Sequence, residues 1–258
     1  MKMPWIAVAL ILWAVPSQGA VVGSAVDYRH GDTILEGYLA YDDVSKEVRS
    51  GVLVVHEWYG LNDYARKRAD QLAQLGYVAF ALDMYGKGVR AADNKEAGAL
   101  AGKIKGDRPL MRGRASAGLD VLKKHGLVDP KRVAAIGYCF GGTTVLELAR
   151  AGADVAGVVS FHGGLDTPSP EAAAPIRAKV LVLHGADDPL VPAAEIAAFQ
   201  EEMRHAGADW QMVFYGGAVH SFSNPQAGAD ASKGVAYNEV ADRRSWQAMK
   251  QFFDEIFR

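Results

Sequence analysis

The chain has very little cysteine, 1 residue in 258. With a single thiol no intramolecular disulfide can form. It also has no excess of positive charge: 28 Lys and Arg face 30 Asp and Glu, a formal net charge of −2. No basic surface is therefore on offer to nucleic acid. Long apolar runs are missing too. The one near the start, about Pro4 to Val15, is too short for a comfortable transmembrane helix. Zinc-protease and P-loop signatures are absent as well. His56-Glu57 opens like H-E-x-x-H, but Gly60 stands where the second histidine is required. The glycines around residue 140 are not followed by G-K-[ST]. No His, Cys or Asp spacing makes a metal site. No cofactor and no metal are expected, and the chain shows no repeat, low-complexity tract or interdomain linker.

What is present begins with that first apolar run. It follows Lys2 and leads to the small residues Ser17 and Gly19. This is the pattern of a secretory signal peptide cleaved near Gly19 or Ala20. Residues 1–20 are expected to be the signal and 21–258 a single domain. The mature protein would be periplasmic or secreted, free of the membrane and monomeric. A composition of 50% hydrophobic and 22% charged residues suits one soluble domain with a large core.

Along the remainder, strand-like and helix-like stretches alternate. Ala25–Arg29 and Ile34–Tyr41 read as strands joined by a turn at His30, Gly31 and Asp32. VLVVH (Val52 to His56), Tyr77–Leu82, Val133–Gly137, Val155–Ser160, Lys179–His184 and Trp210–Tyr215 read as further strands, several of them continuous apolar runs of the kind buried parallel strands show. Asn62–Leu75, Asp107 to about His125, about Gly141–Arg150, Ala193–Ala206 and Tyr237–Phe257 read as helices. Such alternation predicts an α/β fold with a doubly wound, mostly parallel sheet and helices on both faces. Gly86 to Gly113 is the least regular stretch and is expected to lie over the mouth of a site.

The chemistry-bearing segment is VAAIGYCFGG, Val133 to Gly142. An apolar run ends in Gly137, and Cys139 sits where G-x-S-x-G has serine. A strand that turns sharply into a helix leaves its nucleophile at a strained tip, and side chains at Gly137 or Gly141 would collide with that turn. The helix that follows aims its amides at the thiol, which favours a thiolate and then an oxyanion. Asp188 lies in GADDPLVP after the run Lys179–His184, and His220 in GGAVHSF after Trp210–Tyr215. The order Cys139, Asp188, His220 is that of an α/β-hydrolase. A buried structural thiol is the ordinary alternative for Cys139, a turn residue for Asp187, and core positions for His162 and His184.

VVHEWYGLN, ALDMYG, GYCFGG, GADDPLVP and AVHSF together resemble the dienelactone hydrolase family of α/β-hydrolases, over about Val26 to Phe257. The resemblance implies a Cys139–His220–Asp188 triad acting on a small ester or lactone. It implies that Glu57 contacts the thiol and helps deprotonate it, and that the amides of Trp58 and Phe140 form the oxyanion hole. Two arginines that hold a substrate carboxylate in that family are replaced here by Lys87 and Asn224, with Arg90 and Arg112 as possible substitutes. Tyr85 is expected at the substrate, and Trp58, Tyr59, Tyr138 and Phe161 are either pocket walls or core. The alternatives to an ester hydrolase are a thioesterase or peptidase on the same framework, and an exported ligand-binding or thiol-sensing protein.

Overall fold

In the computed structural model, residues 20–168 and 176–258 are described. Residues 1–19, nearly all of the segment read as a signal peptide, lie outside them. Strands β1 (Val21–His30) and β2 (Thr33–Asp42) form an antiparallel hairpin whose turn is closed by Gly31 at φ 55°. There follow β3 (Arg49–Val55), α1 (Asp63–Gln74), β4 (Val78–Leu82), α2 (Asn94–Lys105), α3 (Arg108–Lys123), β5 (Val128–Tyr138), α4 (Phe140–Arg150) and β6 (Gly157–Phe161). The chain continues through β7 (Lys179–Gly185), α5 (Ala193–His205), β8 (Trp210–Tyr215) and α6 (Glu239–Ile256). The eight strands make one sheet in the order β1-β2-β4-β3-β5-β6-β7-β8. Pairing is parallel from β4 through β8 and antiparallel only at the β1–β2 end. No described helix is long and apolar enough to cross a membrane.

The continuous apolar runs are explained by burial on both faces. Successive strand residues point to opposite sides. Val52 and Val54 of β3 pack with Leu72 of α1 and Phe253 of α6, whereas Leu53 and Val55 pack with Leu122 of α3, Val145 of α4 and Met203 of α5. Helix starts follow their caps. The side chains of Asn62, Asp93, Asp107 and Asn238 each accept a backbone N–H of the first turn.

Helix α2 departs from the sequence reading, which left Gly86 to Gly113 irregular. Gly98 and Gly102 weaken its helical signal, and only Ala97 and Ile104 of it are buried. Asp93 at its start and docking on α3 sustain it. Ala101, Gly102 and Lys105 of this stretch line a cavity together with Cys139.

Candidate active site

Strand β5 delivers Cys139 directly into α4. Its backbone lies at φ 54°, ψ −115°, a region that side-chain-bearing residues avoid. The neighbours explain why this turn needs glycines. A Cβ on Gly137 would lie 2.0 Å from the Gly141 carbonyl oxygen, and one on Gly141 would lie 2.3 Å from that of Val55. The turn therefore closes only because both positions lack side chains.

His220 lies in the loop after β8, and Asp188 in the loop after β7. Nδ1 of His220 is 2.8 Å from Asp188 Oδ2, and both residues are buried. The other Asp188 oxygen accepts the Leu190 N–H at 2.8 Å. Asp187 turns away and accepts the Gly217 N–H at 2.9 Å. So Asp188, and not its neighbour, reaches the imidazole. Burial disfavours a charged His220. The neighbouring Cys139 sulfur and then the Asp188 carboxylate outweigh it and lift the imidazole to about 10.

Cys139 and His220 open on a cavity of about 280 Å³ whose walls include Trp58, Phe140, Leu190, Val191 and Val235. Lys105 is the one Lys or Arg side chain among its lining residues, and it is paired with Asp166 at 2.7 Å. The amides of Trp58 and Phe140 have no acceptor among the described residues. The Trp58 segment is held by His56. Its Nδ1 lies 2.5 Å from the Glu57 carbonyl, and its Nε2 accepts the Met84 N–H at 3.1 Å, so the proton sits on Nδ1. Burial holds this imidazole below its ordinary range.

A second cavity of about 660 Å³, more polar than the first, shares Trp58, Ser221 and Val235 with it and is also lined by Glu57, Arg90, Asn224 and Lys233. Here several expectations are corrected. Glu57 does not bond to the thiol. Its carboxylate accepts from Asn224 Nδ2 at 2.5 Å and from Ser221 Oγ at 3.3 Å. Burial raises its proton affinity, and the Asn224 bond is the largest opposing influence. Asn224 is consequently not free for a substrate, since its Oδ1 also accepts the Gln226 N–H at 2.9 Å.

Lys87 is elsewhere, paired with Asp27 at 2.6 Å and Glu36 at 3.3 Å on the β1–β2 hairpin. Tyr85 is buried beneath the site. Its hydroxyl donates to the Trp58 carbonyl at 2.9 Å and its ring packs on Phe140, so it shapes the wall from behind. Tyr138 and Phe161 stack in the core, whereas Trp58 and Tyr59 do line cavities. Arg112 is bound to Glu147 at 2.8 Å, which leaves Arg90 as the cation of the second cavity that has no carboxylate partner among the described residues.

Sequence reasoning missed the ties between loops. Arg150 is buried in α4 and binds Glu202 of α5 through two bonds of 2.7 Å, Glu147 at 3.1 Å and the Leu165 carbonyl at 2.7 Å. Glu195 accepts the Leu165 N–H at 2.6 Å. Together they pin the segment after β6 that walls the first cavity. Among the described residues no group of three or more His, Cys, Asp or Glu could hold a metal ion.

The family model for the dienelactone hydrolase family matches residues 35–257. The chain belongs to that family. It has the α/β-hydrolase fold and is a hydrolase of ester or lactone substrates. A crystal structure of a dienelactone hydrolase-like promiscuous phosphotriesterase from metagenomic libraries is similar at 43% identity and TM-score 0.87, covering 93% of this chain and 100% of that one. An uncharacterized protein of Caenorhabditis elegans is 36% identical over 152 residues, 57% of this chain and 94% of that protein. A protein of Aquifex aeolicus named as a putative carboxymethylenebutenolidase is 26% identical, over 90% of this chain and 98% of its own length.

Proposed function

We propose that this family member cleaves small esters or lactones through a thioester on Cys139. The observation that carries the reading is His220, held by Asp188 on Nδ1 and lining one apolar cavity with Cys139. The Cys139 proton passes to His220, whose raised proton affinity keeps it there, and the sulfur adds to the substrate carbonyl carbon. The carbonyl electron pair moves to oxygen, where the Trp58 and Phe140 amides receive it. Collapse expels the alkoxide, which takes the proton back from His220. Water, deprotonated by the same imidazole, then adds to the thioester and releases the acid and the free thiol. Asp188 keeps the imidazole in the tautomer this requires.

The apolar lining favours an uncharged acyl group beside the sulfur. The polar cavity beyond Trp58 suits a polar or anionic second half of the substrate, with Arg90 as its cation. The phosphotriesterase named above suggests a second substrate class, neutral phosphate triesters, which the same uncharged lining favours.

A panel of small activated esters, lactones and one neutral aryl phosphate triester, incubated with the wild-type protein and Cys139→Ser and followed by intact-protein mass spectrometry, tests this. A transient acyl or phosphoryl mass on Cys139 that keeps pace with turnover supports the reading. Turnover without it, undiminished in Cys139→Ser, overturns it. Export and a monomeric state belong to the same proposal. N-terminal sequencing of secreted material starting near Ala20 or Val21, and light scattering, test them.

A further inference from the structure

The proposed chemistry leaves two buried histidines, His162 and His184, without a task, and only His162 of the two has polar ring partners among the described residues. His162 directly follows β6, is fully buried, and sits at φ 40° in the left-handed region. A non-glycine residue keeps such a backbone only where its surroundings impose it. Two polar contacts do so here. Nδ1 accepts the backbone N–H of Cys139 at 3.2 Å, a proton shared with the Phe161 carbonyl at 3.0 Å. Nε2 lies 2.7 Å from Ser223 Oγ.

An amide N–H can only donate, so Nδ1 is an acceptor and the proton sits on Nε2, directed at Ser223. The Ser223 hydroxyl is in turn 2.7 Å from the Tyr64 hydroxyl, which accepts from Arg68 Nε at 3.3 Å. Arg68 also donates to the Ser223 carbonyl at 2.7 Å and pairs with Asp242 of α6. Every donor along this chain has an acceptor, as a buried polar network requires.

We propose that His162 is a positioning residue for the reaction: one ring nitrogen grips the backbone of Cys139, the other grips the His220 loop through Ser223, and the ring sets how the imidazole meets the thiol. The inference rests on the Cys139–His220 reading above.

Three facts favour it over a passive packing role. The contacts join segments 23 and 61 residues apart in sequence, so one ring fixes the ends of β5 and β6 against the loop after β8. That loop has no helix or strand of its own between Ala218 and Asn224, and Ser221 within it is also strained, at φ 57°. The His162 ring stands edge-on to His220 at 5.3 Å between centroids, and also meets Phe222 at 5.1 Å. The groups around His162 keep it an acceptor. Burial, then the charges of His220 and Arg68, hold it well below the ordinary imidazole range, and His184 adds to this.

The test uses the chain's only cysteine as its own probe. Iodoacetamide alkylation of Cys139 is followed from about pH 5 to about pH 10, where a histidine-paired thiol shows its titration. It is compared in wild type, His220→Ala, Ser223→Ala and His162→Asn. Asparagine tolerates the left-handed backbone and keeps an acceptor near the Cys139 amide, but it is too short to reach Ser223. Ser223→Ala cuts the same tie from the loop side.

Both variants are expected to fold and to keep KM within about twofold. They should lose about tenfold to hundredfold in kcat, the scale of a small misplacement of reacting groups. Their alkylation profiles should move part of the way toward that of His220→Ala. Variants with a lower Tm but wild-type kcat and wild-type alkylation profile would overturn the inference, because His162 would then serve stability alone. A His220→Ala profile identical to wild type would remove the Cys139–His220 pairing itself, and this inference with it.

Discussion

Asp188 Oδ2 stands 2.8 Å from His220 Nδ1, with the two side chains 0% and 8% exposed. A buried carboxylate facing one ring nitrogen leaves the other nitrogen to face the sulfur. Asp188→Asn preserves the shape but favours the opposite tautomer. The expected result is a fall in kcat of about 10³- to 10⁴-fold with little change in KM. Initial rates on a chromogenic ester check it.

His220, with Cys139 and then Asp188 raising its proton affinity, also has a signature in stability. The folded state raises the His220 pKa to about 10 from its ordinary 6.5. A raised imidazole contributes stability that is complete below the unfolded value and disappears as pH rises through the folded one. Wild type should therefore exceed His220→Gln in Tm by most near pH 6, and the difference should close as pH climbs toward about 10. Calorimetry of the two proteins across that range is the measurement.

Glu57 works in the opposite direction to a salt-bridged carboxylate. Burial raises its pKa, so its charge costs the folded state more as pH rises through the folded value. Glutamine cannot ionise, keeps an acceptor for Asn224 and offers a donor to the Ser221 hydroxyl. Glu57→Gln is expected to gain in Tm relative to wild type as pH rises from about 4 to neutrality. A Tm difference that is flat with pH would contradict this account.

Arg150→Met should be costly. It would leave Glu202, 3% exposed, without the guanidinium that neutralises it, and the fully buried Glu147 with Arg112 alone. Removing one partner of a buried ionic group costs about 3–5 kcal/mol, readable as a lowered urea midpoint. The segment Gly163–Asp166 also loses a tether, so protection from hydrogen exchange should fall there first.

Lys87 and Arg90 should behave differently. Lys87→Ala removes an exposed pairing with Asp27 and Glu36 on the hairpin and is expected to leave kcat/KM at wild-type values for every ester. Arg90→Ala is expected to lower kcat/KM about fivefold to tenfold for esters with an anionic substituent, the worth of a partly solvated charged contact. Neutral esters should be unaffected. Matched neutral and carboxylated esters distinguish the two residues.

The sheet and the Cys139, Asp188, His220 constellation were legible in the sequence because each has a local signature. Continuous apolar runs betray strands buried on both faces, and Gly137 and Gly141 mark a turn that admits no Cβ. Asp188 and His220 each follow such a run at short distance. The failures have a shared cause. Glu57 meets Asn224 across 167 positions, and no local pattern says that an asparagine will take up its carboxylate. Lys87 was aligned with a substrate-binding arginine by its place after Tyr85 and Gly86. Its side chain answers instead to Asp27 and Glu36, which the hairpin brings alongside. Helix α2 was hidden by its glycines, and His162 by being a lone histidine whose partners come from two other loops.

Those long separations also bear on when the thiol becomes reactive. Glu57 and Ser221 are 164 residues apart, and Tyr64 and Ser223 are 159 apart. The contacts that hold the loop of His220 thus join early and late parts of the chain, and that loop arrives only after the final strand. A chain still emerging from the ribosome carries its sulfur for some 80 residues before a base can face it. On the proposed mechanism the sulfur is unarmed through synthesis, and its arming waits for the loop after the last strand.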